Sequence, residues 1–393
     1  MRKRWAEASP DLKAFLAGIL LLGINQGMLN STFNNYLSDV FRMSAADRGA
    51  LEFPREFPGF LILFVTGALA AFPMRSWAVL VGLCSALGVA GLGFASPSAR
   101  AMTVWMFSWS FADHLFMPIE SAVGLRLARA GQQGRRLGQI SGARALSMIL
   151  GCAAVWVLGR CVRGALYPAL YGAAAAAAMA AAWAFSRMDA GSEGSGPRAV
   201  FRPEYRYFYW LNVLFGARKQ VFLTFAPWLL VTVFGTSPQT MAALFMAASV
   251  LGVVFRQAFG DFVDRFGERS MFYADAAILF AICAGFALSS DRRLLYGLYV
   301  LDNLMFATRI ARTTYLDKIA KDRRDIPATL SLGITMDHAV SMTVPALGGM
   351  LWNACGYRSV FWAASLLAGA VFLVARRLPY LPSNAPPAAQ AAA

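Results

Sequence analysis

Apolar residues along this chain fall into long uninterrupted runs, not into the short alternations of half-buried strands. In the first half the runs lie at about 14–37, 57–74, 77–95, 101–127, 138–159 and 165–186. In the second half they lie at about 208–234, 239–258, 270–289, 293–316, 327–352 and 359–377. A helix that crosses the bilayer core needs roughly 20 apolar residues, so each run predicts a transmembrane α-helix. The fold class expected is all-α integral membrane, with twelve transmembrane helices in two six-helix bundles. Between the halves, 188–207 has the composition of a linker and contains the stretch GSEGSGPR. The expected organisation is a first half at 1–187, a cytoplasmic linker at 188–207, a second half at 208–380, and a disordered Pro/Ala-rich tail at 381–393.

Composition agrees with this pattern. The chain of 393 residues is 58% hydrophobic and 15% charged, with mean hydropathy +0.52. Soluble domains run nearer 45–50% apolar and about 25% charged. An ordinary soluble enzyme is excluded, and twelve spans leave no length for a large soluble domain. The net charge of +15 would suggest nucleic acid in a soluble protein. Here the basic residues cluster at the ends of apolar runs, which is a topological signal instead. With the N-terminus inside, the inner segments hold 22 Lys and Arg and the outer segments nine. That asymmetry predicts both termini in the cytoplasm of a bacterial-type plasma membrane. The run after the basic stretch Met1–Lys13 is too long for a cleaved signal peptide and reads as the first span. The five cysteines show neither metal spacing nor a disulfide framework.

The halves repeat each other at a nearly constant offset. Phe33, Tyr36 and Leu37 meet Phe225, Trp228 and Leu229 at a shift of 192, and Gly67 meets Gly260 at 193. Asp113 meets Asp302 at 189, and Gly142 meets Gly333 at 191. Six spans per half make the repeat parallel, about an axis along the membrane normal. Such a pair of bundles suggests a carrier whose central cavity opens to one side at a time.

A motif comes after the eighth run: Gly260, Asp261, Phe262, Val263, Asp264, Arg265, Phe266, Gly267, Glu268, Arg269. It resembles the G-x-x-x-D-R-x-G-x-R loop of the major facilitator superfamily. Pro345 to Gly349 is similar to that superfamily's glycine-rich packing sequences. The resemblance covers about 14–377 in architecture, with its motifs in the second half. The first-half loop, Gly67 to Arg75, keeps the glycine and lacks the Asp-Arg pair. The resemblance implies a gating role for Gly260, Asp261, Asp264, Arg265, Gly267 and Arg269; the plainer reading is a tight charged turn. It also implies that spans 1, 4, 7 and 10 line the cavity.

Ionisable residues inside a span cost at least about 2.5–3.5 kcal/mol at the bilayer centre, so they are expected to face a cavity or each other. They are Asp113, His114 and Glu120 in span 4, Arg144 in span 5, and Arg218 and Lys219 in span 7. Span 10 carries Asp302, Arg309 and Arg312, and span 11 carries Asp337 and His338. Asp275 is the exception in the lipid-facing set. Gln26, Asn30 and Asn34, at i, i+4 and i+8, form a polar stripe on span 1. Asp302 and Arg309, at i and i+7, are expected to share a face. The slight excess of cations favours an anionic or zwitterionic substrate. Substrate binding therefore falls to Gln26, Asn30, Asn34, Arg218, Lys219 and Arg309. Coupling or proton transfer falls to Asp113, Glu120, Asp302, Asp337 and His338. The bland alternatives are interhelical glue for the amides, packing for the histidines, and snorkelling for Arg144 and Arg312.

No nucleophile–base set, metal cluster or phosphate-binding glycine loop is present, so an enzyme, a metal site, a cofactor and ATP hydrolysis are not expected. The expectation is a monomeric, proton-coupled secondary active transporter for a small solute. The alternatives are an uncoupled facilitator, an efflux pump for amphiphilic compounds, and a non-transporting receptor or assembly protein on the same fold.

Overall fold

A computed structural model describes residues 9–69, 73–128, 132–162, 164–189, 201–322 and 325–379. The middle of the expected linker, the tip of the first-half loop at 70–72 and the expected tail lie outside the described residues.

The first half forms α1 (Pro10–Phe41), the short α2 (Ala45–Ala50), α3 (Glu52–Leu69), α4 (Met74–Phe94), α5 (Ala99–Arg126), α6 (Gln133–Cys161) and α7 (Leu166–Ser186). A 3-10 turn at Pro203–Tyr205 leads into α8 (Arg206–Thr232). Then come α9 (Pro238–Leu288), α10 (Arg292–Met305), a 3-10 turn at Phe306–Thr308, α11 (Arg309–Ile319), α12 (Asp325–Cys355) and α13 (Tyr357–Arg376). Among the described residues six helices are long and apolar enough to cross a membrane: α1, α4, α6, α7, α9 and α13.

Local chemistry sets several boundaries. Ser44 opens α2 with a reciprocal cap. Its hydroxyl accepts from the Asp47 N–H at 3.2 Å, and the Asp47 carboxylate accepts from the Ser44 N–H at 2.9 Å. Asp291 starts α10 by accepting from the Arg293 N–H at 2.8 Å. Within α9, Gly267 takes φ 76° and ψ 160°, a conformation that breaks the helix and that side chains disfavour. The motif's second glycine is therefore the break between 238–266 and 268–288.

The chain divides into two compact units. The first holds the described residues of Met1–Phe41, Phe64–Gly196 and Ser237–Ser249. The second holds those of Arg42–Leu63, Pro197–Thr236 and Val250–Ala393. Helix α3 thus begins in one unit and ends in the other, and so does α9.

In the first unit α1 packs on α6 and α7, and α4 on α5 and α7. A side-chain carbon on Gly27 would stand 2.6 Å from the Met148 carbonyl oxygen, so α1 and α6 meet backbone to backbone. Asn25 ties three helices: its amide donates to the Ala174 carbonyl at 2.9 Å and accepts from the Ser85 hydroxyl at 3.2 Å. In the second unit α8 packs on α12 and α13, and α2 lies along α12. Its aromatic core gathers Tyr205, Phe208, Tyr209, Phe259, Phe272 and Tyr315.

Candidate functional site

In the first unit the polar stripe of α1 reaches the charges of α5 and α6. Gln26 donates to Asp113 at 2.8 Å and accepts from Arg144 Nη2 at 3.2 Å. Arg144 also pairs with Glu120 and lies 5.9 Å from the centre of the Phe116 ring. Arg144 does not snorkel, because Glu120 and Gln26 hold it. Asn34 is buried, and Asn30 is half-buried, its side chain without a hydrogen bond among the described residues. His114 bonds the Ser110 carbonyl at 2.8 Å within its own helix.

In the second unit the adjacent cations of α8 diverge, as neighbours about 100° apart on a helix must. Arg218, 1% exposed, donates from Nη1 to Asp275 and from Nη2 to Asp302, each at 3.1 Å. Lys219 pairs with Asp337 at 2.8 Å, and Ser341 donates to the same Asp337 oxygen at 3.2 Å. Gly216 lets the two helices close here: a carbon on it would stand 2.6 Å from Asp337 Oδ1. Asp275 is thus drawn into the protein interior, a role that its position in span 9 does not suggest.

Two arginines of span 10 differ in burial. Arg309 is exposed, and its side chain has no hydrogen bond or ion pair among the described residues. Arg312, expected to snorkel, is 5% exposed. Its guanidinium lies 3.6 Å from the centre of the Phe215 ring, and Nη1 donates to Asn212 Oδ1 at 2.9 Å. Its Nε is buried without a partner. The 3-10 turn at Phe306–Thr308 lies between Asp302 and Arg309 and changes the face they were expected to share. Three residues at about 120° each, not about 100°, rotate the face of α11 by roughly 60°. Asp302 and Arg309 do not pair; Asp302 bonds Arg218.

A third cluster is not evident from the apolar runs. Glu52, fully buried, pairs with Arg48, with Arg55 at 2.6 Å, and accepts a hydrogen bond from Gln220 of α8. Glu56 pairs with Arg55 at 2.7 Å and with His338 Nδ1 of α12 at 2.8 Å. Lys and Arg counting places Arg48 and Arg55 among the outer loop charges, but both belong to this cluster. The available signal is spacing: 48, 52, 55 and 56 are i, i+4, i+7 and i+8, one helical face.

At the motif, Asp261, Asp264 and Arg265 are exposed, and Asp264 has no ion pair among the described residues. The buried acid is Glu268, held by Lys318 at 2.8 Å. Arg269 donates to the Tyr273 hydroxyl at 3.2 Å and to the Arg376 carbonyl at 3.2 Å, tying α9 to the end of α13. Gly260 lies within the helix, with open space around it.

Comparison with known proteins fits this architecture. Residues 208–392 match the family model of the Major Facilitator Superfamily. A mutant of the nucleoside transporter NupG superposes with TM-score 0.77 at 14% identity, covering 94% of this chain and 99% of that one. The chain has the major facilitator superfamily fold. A bacterial homologue of the human lysosomal transporter Spinster gives TM-score 0.74 at 13% identity, over 94% of this chain and 98% of that one. A D-xylose–proton symporter gives 0.70 at 13% identity, over 95% and 98%. No curated protein matches the chain in sequence.

Proposed function

We propose that this protein is a secondary transporter that carries a small organic anion across a bacterial-type plasma membrane by alternating access, coupled to protons. The observation that carries the anionic substrate is Arg312. A buried guanidinium normally bonds a carboxylate. This one has a neutral amide, an aromatic face and a buried Nε with no acceptor. Phe215 and Asn212 hold the side chain flat, which presents a fork suited to a carboxylate or phosphate.

Arg218 and Lys219 are neutralised by their own carboxylates, so they set the local field and Arg312 takes over the binding role. Arg309, exposed and without an ion pair among the described residues, guides the anion toward it, while Gln26, Asn30 and Asn34 line the polar face of α1. The span count is twelve if α9 counts as two at Gly267 and α10 with α11 counts as one. The Lys and Arg asymmetry supports both termini in the cytoplasm, and the motif residues serve the change of state.

Uptake of benzoate, lactate and gluconate into proteoliposomes under an imposed pH gradient tests this. At least one should accumulate, and Arg312→Gln should abolish its uptake while Arg312→Lys leaves part of it. Accumulation unchanged in Arg312→Gln would overturn the assignment.

A further inference from the structure

The break in α9 opens onto a cavity that the transport reading does not use. It holds about 220 Å³, and Glu268, Arg269, Ser270, Tyr273 and Tyr315 are among its walls. That is below the roughly 300–1,000 Å³ of sites that enclose a drug-sized molecule, so its occupant is one small group. Gly267 stops the preceding helix, and 268–288 starts again beside the cavity. A restarted helix leaves its first backbone N–H groups without intrahelical acceptors, and Gly267 has no side chain to cap them. Those groups and the positive end of the helix dipole favour an anion. Tyr315 of α11 points to a ligand independently. It is 3% exposed and lines the cavity, yet its hydroxyl has no hydrogen bond among the described residues. A buried hydroxyl left without a partner is costly, and an acceptor in the cavity completes it. The Tyr273 hydroxyl accepts from Arg269 Nε and Nη2 and keeps its own hydrogen to donate. Lys318 neutralises Glu268 at 2.8 Å, which leaves Arg269 as the unbalanced charge of the lining.

We infer that this cavity binds a phosphate group, carried by a soluble phosphate compound or by a lipid headgroup. Its donors are the first N–H groups of 268–288, the Arg269 guanidinium, and the hydroxyls of Ser270, Tyr273 and Tyr315. These donors come from two helices, α9 and α11, and so from more directions than the two oxygens of a carboxylate answer; a phosphate group offers three acceptor oxygens. The site is separate from Arg312, and it stands or falls apart from the transport reading.

Thermal unfolding of the purified full-length protein tests this, because a ligand of the folded state raises Tm with its concentration. In detergent, sodium phosphate is titrated against sodium chloride at equal ionic strength. In a second arm the protein is placed in phosphatidylcholine vesicles with increasing phosphatidylglycerol content. A rise in Tm with sodium phosphate identifies a soluble source, and a rise with phosphatidylglycerol alone identifies a headgroup. In whichever arm responds, Arg269→Gln and Tyr315→Phe should each weaken the apparent affinity by about tenfold or more, the effect of losing one hydrogen bond to a charged group. Arg269→Gln also loses the tie to the Arg376 carbonyl. Tyr315→Phe keeps the ring in the aromatic core and removes only the hydroxyl, so it decides the matter where Arg269→Gln does not fold. No rise in either arm, or an equal rise in wild type and Tyr315→Phe, overturns the assignment.

Discussion

A side-chain carbon on Gly349 would stand 2.5 Å from the carbonyl oxygen of Ala45. Helix α2 is thereby pressed against α12 backbone to backbone. Gly49 makes the reciprocal approach to the Pro345 carbonyl. Gly349→Leu has no room to repack, because backbone lies on the far side. It should lower stability by roughly 1–3 kcal/mol or more, read as a fall in Tm of the purified protein. An unchanged Tm would mean that α2 does not hold this position.

Glu52 is the hub of the buried cluster at the start of α3. Glu52→Gln leaves Arg48 and Arg55 without their common counter-ion. Breaking a buried pair from one side costs about 3–5 kcal/mol, so low expression and early thermal unfolding are expected. Arg48→Met combined with Glu52→Gln should recover part of the loss; no recovery would place the damage elsewhere.

Lys219 and Asp337 give a direct contrast with Asp302 and Arg309. Lys219→Gln and Asp337→Asn should each destabilise, and the double variant should be more stable than the sum of the two losses implies. Asp302→Asn with Arg309→Gln should show no such recovery, since no bond joins them. Recovery in the second pair and not in the first would contradict the pairing seen in the structure.

A clasp outside the apolar runs carries a pH dependence. Arg202 Nε lies 2.5 Å from Asp325, and the Tyr205 hydroxyl donates to the same carboxylate at 3.2 Å. The Arg202 hydrogen bond holds the Asp325 carboxyl below its usual range. A carboxyl lowered in the folded state contributes stability above its unfolded value of about 3.9. That contribution fades as pH falls through the lower folded value. The clasp should therefore be complete at neutral pH and release only in acid. Asp325→Asn should release it at pH 7, seen as faster chymotryptic cleavage after Tyr205. Equal cleavage in both proteins would argue against the clasp.

The orientation proposed from Lys and Arg asymmetry has its own check. A reporter active only outside the membrane, fused after Arg377, should be silent. Strong activity would overturn the orientation or the number of spans.

The positions of the helices were legible because burial in lipid demands long apolar runs, and most of those runs end within a few residues of a helix end, although the run at 239–258 stops well short of the break at Gly267 and the run at 57–74 lies later than Glu52–Leu69. Gly267 was legible as a turn because a backbone at positive φ needs glycine. The partners of the buried charges were not. Asp302 and Arg309 look like neighbours only if the helix between them keeps its pitch, and a 3-10 turn removes that register. Arg312 lies near a helix end, where snorkelling is common, yet Phe215 and Asn212 of another helix enclose it. Asp275 sits in a span expected to face lipid and instead bonds Arg218. Pairings between residues far apart in sequence depend on packing that no single helix encodes.

The divided membership of α3 bears on how the protein is made. Glu52 finds Gln220 across 168 residues, and Glu56 finds His338 across 282. Both glutamates leave the ribosome long before either partner exists. During synthesis the start of α3 must wait, with its charges satisfied by water or by Arg48 and Arg55 alone. A fragment ending before α8 would keep that segment permanently unpartnered, and a fragment starting at α8 would lack the helix that covers α12. The last helices translated thus complete a structure that the start of α3 begins.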